Sequence, residues 1–347
     1  MAYATLMSRF FTQSVLVQSR PNAVDGLSTL LIVSGDSSLN GARYMTFADQ
    51  DEVAAQVALG YVSATASAMT TVAFAQSPRP QTVAVGRQTD PETFATALAA
   101  IADAGLVFSL FCIDSHTNTD VTSAAGYAEA GFFVAAFVSN DAGFLTGTRP
   151  ASWPNTSKNS AIYYHPTATQ YPDVAALAIA AGADPDVNCP AFSAPFSSVT
   201  TYDLTSAQRT FARANECNVM VPLDTGEASY TDGPALATAG DFLYLAFTKA
   251  WLTTRNKQFI AAVYAGFADL DQKFPYDVRG IAAIKGALGN VANTGIAAGY
   301  FGPITALPDG YTIAVTLASG SATVVERIGV LDAIETISDT IYLERAA

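Results

Sequence analysis

Charge, histidine and cysteine are all scarce in this chain. Of its 347 residues only 14% are charged, and it holds 2 histidines, 3 cysteines and 2 tryptophans. Positive charge is the scarcer sign: 17 Lys and Arg stand against 30 Asp and Glu, a net charge of -13. Binding a phosphate backbone needs clustered cations, so nucleic acid is not an expected partner. From Gln88 through Thr148 there is no Lys or Arg at all. The cysteines, Cys112, Cys189 and Cys217, are odd in number and lack CxxC spacing, which reads as reduced thiols in a cytoplasmic protein. No segment approaches the roughly 18 apolar residues needed to span a bilayer. The longest blocks, Ala130–Val138 and Phe259–Ala268, read as core elements, so no membrane insertion is expected. The N-terminal stretch, with Arg9 placed late and no sustained apolar block, does not read as a signal peptide.

What the chain has is apolar mass. It is 50% hydrophobic, with a mean hydropathy of +0.26. That excludes a disordered protein, which lacks the apolar surface to offset ordering entropy, and it is ample for a sizeable core. A charge-poor, apolar chain buries its surface either within itself or against copies of itself. Composition leaves both open.

Along the chain, apolar runs alternate with helical patterns. Leu27–Val33, Thr82–Val85, Leu106–Ile113, Phe132–Val138 and Ala161–Tyr164 read as strands buried on both faces. Asp49–Leu59, the segment opened by Asp90-Pro91-Glu92, Ser123–Ala130 and Val174–Ala181 read as helices, with Asp90 as a cap and Pro91 in the first turn. Strands of this kind between helices imply a largely parallel or mixed α/β sheet. Thr146–Ser160, rich in Pro, Asn, Ser and Thr, reads as an exposed loop. After Pro190 the texture changes to α+β. Leu204–Ala214 is a helix opened by Thr205 or Ser206, Asn218–Leu223 a strand, Asp241–Phe267 the longest helix, Gly280–Val291 another helix, and Tyr311–Leu317 a strand. The organisation expected is an N-terminal arm (1–25), an α/β subdomain (26–190), a C-terminal α+β subdomain (191–320) and a C-terminal arm (321–347).

Chemistry is thinly represented. Cys112, Asp114 and His116 alternate at a strand end and would share one face if the strand continued. A metal site needs a third or fourth ligand, however, and His165 precedes Pro166 with no suitable spacing. The plain reading is a strand running out into a polar loop. Walker, GxGxxG, GxSxG and HExxH patterns are absent, so neither catalytic, cofactor nor metal residues are assigned. One charge feature stands out. Lys249, Arg255, Lys257, Lys273, Arg279 and Lys285 outnumber the acids of the same stretch by three, either as a solvated helical face or as a docking surface for an acidic partner.

The run Phe74–Arg87 (FAQSPRPQTVAVGR) reads as a helix, a Ser-Pro-x-Pro stop and a strand ending in Gly-Arg. It resembles a signature of the short contractile-tail sheath proteins of myophage-type bacteriophages, in which a helix is followed by a Ser/Asn-Pro-x-Pro stop and a strand ending in Gly-Arg. Ala161–Pro172, Leu204–Leu223, Trp251–Arg255, Phe274–Ile284 and Pro308–Val315 match in the same order, over most of residues 25–317. Val324–Ala347 departs from the family's usual final segment.

The resemblance implies a structural protein and not an enzyme, with a mixed-sheet core and extended arms that pair with neighbouring subunits. It implies stacked six-membered rings in a helical array around a tail tube, with baseplate and tail terminator proteins as further partners. Such a sheath is assembled in the host cytoplasm in an extended, energy-storing state, resides in the virion tail, and drives the tube through the host envelope on contraction. On this reading the arm strands include Val15, Leu16 and Val17 at one end and Ile337, Ile341 and Leu343 at the other, with joints at Pro21–Gly26 and Ala318–Ser321. The cations between Lys249 and Lys285 would face the tube. Two other classes stay open: a sheath-like subunit of another contractile injection device, and a cytoplasmic α/β enzyme using Cys112 and His116.

Overall fold

A computed structural model of the chain describes residues 26–190, 192, 195–222, 229–232, 235–269, 274–275, 277–318, 321–329 and 336–344. The described residues divide into two compact units, 26–185 with 190–250 and 186–189 with 251–347.

The first unit is built on an eight-stranded sheet in the order β2-β3-β1-β4-β5-β6-β7-β8. Its strands are β1 (Thr29–Ser34), β2 (Tyr44–Phe47), β3 (Thr82–Arg87), β4 (Leu110–Ile113), β5 (Val134–Ser139), β6 (Ser160–Tyr164), β7 (Cys217–Pro222) and β8 (Ser229–Thr231). The six strands from β3 to β7 run parallel, and β2 and β8 close the two edges antiparallel. Parallel strands are buried on both faces. Accordingly every residue of β1, β4, β5 and β6 is buried.

Helices cover both faces. Those of this unit are α1 (Gln50–Ala58), α2 (Ala64–Phe74), α3 (Phe94–Asp103), α4 (Asn118–Gly131), α5 (Pro172–Gly182) and α6 (Ser206–Ala214). On one face, Phe94, Leu98 and Ile101 of α3 and Val121 of α4 join Leu31, Phe111, Phe137 and Ile162 in a core. On the other, Val53 and Ala66 from α1 and α2 pack with Phe47 and Val85. Helix α5 is buried at every residue from Pro172 to Ala181. A helix apolar all round has no solvent face to keep, and α5 lies against α2 and the central strands.

The second unit contains most of α7 (Leu243–Asp269), whose first two turns belong to the first unit, and α8 (Val278–Ala297). An antiparallel sheet of β9 (Tyr311–Ala318), β10 (Ser321–Gly329) and β11 (Thr336–Glu344) completes it. Its core joins Ile260, Ile284, Leu288 and Val324. Trp251 stacks on Tyr300 with ring centroids 4.6 Å apart, and its indole N–H donates to Asp186 at 2.9 Å.

The structure corrects several expectations. Thr93, not Asp90, caps α3, its hydroxyl accepting from the Thr96 N–H. Only Leu110–Ile113 of the expected Leu106–Ile113 strand pairs in the sheet. The boundary at residue 190 is crossed by the sheet, because β7 pairs in parallel with β6. The stretch Thr146–Ser160 is not a freely exposed loop. Trp153, Ser157 and Asn159 are buried, and Arg149 donates to the carbonyls of Pro154 and Asn215 and to Glu216. A polar stretch is drawn in here because its hydrogen bonds are met by backbone groups around it.

Candidate functional site

Open α/β sheets bind ligands where the strand order reverses, at the carboxyl ends of the flanking strands. Here that point lies between β1 and β4. There the chain's own polar groups bond to one another. The Ser34 hydroxyl accepts from the Asp36 and Ser37 N–H groups at 3.3 and 3.2 Å and from the Ser37 hydroxyl at 3.0 Å. The Gly35 N–H donates to Asp114 at 3.2 Å.

The Cys112–His116 constellation does not assemble. Strand β4 ends at Ile113, so the alternation that would align Cys112, Asp114 and His116 stops before it can act. Cys112 is fully buried, with its thiol directed at the Leu31 carbonyl 3.9 Å away. Burial, reinforced by Asp173 and Asp114, pushes that thiol well above its ordinary range, the opposite of what a nucleophile needs. Burial lowers the His116 pKa. His165 is committed elsewhere, with Nδ1 2.8 Å from the Thr167 carbonyl and Nε2 3.0 Å from that of Thr200. Among the described residues no group of three or more His, Cys, Asp or Glu is placed to hold a metal ion. No helix among them is long and apolar enough to cross a membrane.

The three cations on α7 do not share one face. Lys249, Arg255 and Lys257 lie on α7; at about 100° per residue, Arg255 and Lys257 project roughly 240° and 80° around the axis from Lys249. Arg255 is tied to Asp186 at 2.7 Å. On α8, Arg279 pairs with Asp277 at 2.9 Å beside the helix cap, and Lys285 is exposed. Lys273 lies outside the described residues.

Val15, Leu16 and Val17 also lie outside the described residues. At the other end, Ile337, Ile341 and Leu343 stand on β11, opposite Ile328, Val324 and Ala322 of β10. The last strand thus pairs with β10 of its own chain, where an arm pairing with a neighbouring subunit was expected. Ala318 and Ser321, read as a joint, are the paired ends of β9 and β10. Both β9 and β11 are edges of this sheet, and an edge strand presents unpaired main-chain groups.

No family model matches the chain, and no curated protein matches it. Solved structures do. The helical sheath of the anti-feeding prophage in its contracted state aligns at a TM-score of 0.58 and 14% identity, covering 95% of this chain and 94% of that one. A sheath tail protein from Listeria innocua aligns at a TM-score of 0.60 and 11% identity, covering 100% and 98%. One from Desulfitobacterium hafniense aligns at 0.62 and 10%, covering 95% and 99%. At such low identity the likeness resides in the path of the backbone, which is followed through both units. The chain therefore has the fold of the contractile-tail sheath proteins.

Proposed function

We propose that this protein is the sheath subunit of a contractile phage tail, a structural component and not an enzyme. The observation that carries the reading is the end-to-end correspondence with sheath tail structures, over 95–100% of the chain. The thin chemistry of the chain agrees with it, as do the apolar composition and the two open edges of the C-terminal sheet. In this reading subunits meet through heterologous contacts, which propagate into helical arrays, and stack as six-membered rings around a tail tube between baseplate and terminator. The array is assembled extended in the host cytoplasm, becomes part of the virion tail, and contracts to drive the tube through the envelope. Residues 1–25 and the C-terminal segment are the arms. Strand addition to a neighbour's sheet edge supplies main-chain hydrogen bonds while bodies rotate.

Sedimentation of the full chain and of a chain lacking residues 1–19 tests the arms. The shortened chain should be a folded monomer, and continued polymer formation would exclude the arm as the link. The tube is assigned to the cations of α7 and α8. Charge reversal at Arg279 and Lys285 should impair assembly on tubes in a salt-sensitive manner; normal assembly of the double variant would overturn that assignment. The similarity to the anti-feeding prophage sheath favours one second reading, a sheath subunit of another contractile injection system. A neighbouring gene for a tube with no genes for a head would select it.

A further inference from the structure

Under helix α5 lies a carboxyl group that the fold does not neutralise. Asp173, in the first turn of α5, is only 1% exposed, and among the described residues its oxygens have no partner in good hydrogen-bond geometry, only the nearby N–H groups of Asp173 and Val174 at the helix start. The ionisable groups that face it are Cys112 from β4, Tyr163 from β6 and Tyr171 at the helix entrance. Asp114, which acts on Cys112 and Tyr171, adds another acid at the same end. The remaining elements packed on α5, namely α2, β1, β5 and the turn Gly26–Ser28, contain no ionisable side chain. Among the described residues these elements hold no Lys or Arg; Arg79 lies on the turn whose backbone meets Gly182 at the opposite end of α5. His116, whose ring lies 6.4 Å from that of Tyr171, has its pKa lowered by burial, and the ring nitrogens of His165 lie within hydrogen-bond distance of backbone groups of Thr167 and Thr200.

We propose that Asp173 is a proton-operated latch: as the neutral acid it lets α5 seat on the sheet, and on ionising it loosens that helix and the unit built around it. A buried carboxylate with no cation beside it is among the costliest groups a core can hold, whereas its protonated form is tolerated. Burial raises Asp173 from the ordinary aspartate range to about 7, with the N–H groups of Asp173 and Val174 at the helix start offsetting part of the rise. The sign follows from linkage. Between the ordinary aspartate pKa and about 7 the folded chain holds a proton that the unfolded chain has released. Stability therefore falls as pH rises through that window, by up to about tenfold in the unfolding constant per pH unit, and levels off above it. Asp114, also raised by burial, acts with the same sign; His116, lowered by burial, acts with the opposite one.

Comparison of the full chain with Asp173→Asn isolates the effect. In urea unfolding at about pH 5.5, 7 and 8.5, the native chain should lose stability relative to the variant as pH rises. Parallel profiles, or a uniform loss in the variant, would reduce Asp173 to a helix-start residue and overturn the latch. Should the variant not fold, infrared spectra of the native chain decide. The carbonyl stretch of a neutral buried carboxylic acid should be present near about pH 6 and fade by about pH 8.5, and should survive Asp114→Asn. Its absence at the lower pH, or its loss in Asp114→Asn, would overturn the proposal.

Discussion

Gly295 sits where two opposing effects can be weighed. A Cβ built there would stand 2.5 Å from the Phe301 ring and 2.9 Å from that of Trp251, both fully buried. Alanine gains about 1 kcal/mol of helix propensity over glycine, whereas overpacking a core costs about 1–3 kcal/mol. The rings are locked, Trp251 by its stack on Tyr300 and its bond to Asp186, so the clash wins. Gly295→Ala should destabilise the chain by about 1–2 kcal/mol in urea unfolding; a stabilised variant would contradict this packing. Nothing in the sequence marks Gly295, because its demand comes from aromatic rings that folding brings to it. The same holds for Asp173 at the start of an Ala-rich helix. That Val174–Ala181 is helical was legible, but its burial all round and the lack, among the described residues, of a cation facing the carboxyl depend on which strands meet it. Cys112, Asp114 and His116 illustrate the reverse, a sequence pattern that suggests chemistry and loses it because β4 ends at Ile113.

Elements were most legible where local signals agree. Thr205 caps its helix as the sequence implies, and it forms a reciprocal box with Gln208. The Gln208 N–H donates to the Thr205 hydroxyl at 3.2 Å, and the Thr205 N–H to the Gln208 side chain at 2.9 Å. Only Ala212 of α6 is buried, so packing does little to hold this helix and its cap matters. Thr205→Ala should cost about 1 kcal/mol, read as a lower urea midpoint with an unchanged slope; no change in midpoint would contradict the box. The buried parallel strands were equally plain as apolar runs. Edge and hairpin strands were not. Tyr44–Phe47 is four residues long and half-buried, too short for a period to emerge. Strands β10 and β11 find each other through register across an intervening segment, which no local pattern reports.

At the scale of the whole molecule, the central claim is that the two units together make one sheath subunit. Most of the architecture was legible because a doubly covered sheet writes itself into the sequence as buried strands between helices. The proposed assembly surfaces were less so, since a contact between copies leaves no periodicity of its own. The cations between Lys249 and Lys285 were grouped by proximity in sequence, yet helical geometry disperses them, and Arg255 and Arg279 each meet an acid nearby. Any engagement with a tube would therefore draw on parts of that set. Self-assembly is the property that separates a sheath subunit from a globular α/β protein of equal size. Negative-stain electron microscopy of the purified full-length chain reads it directly. Stacked rings or long hollow tubes are the predicted result; a field of uniform, isolated monomers at every protein concentration would contradict the account.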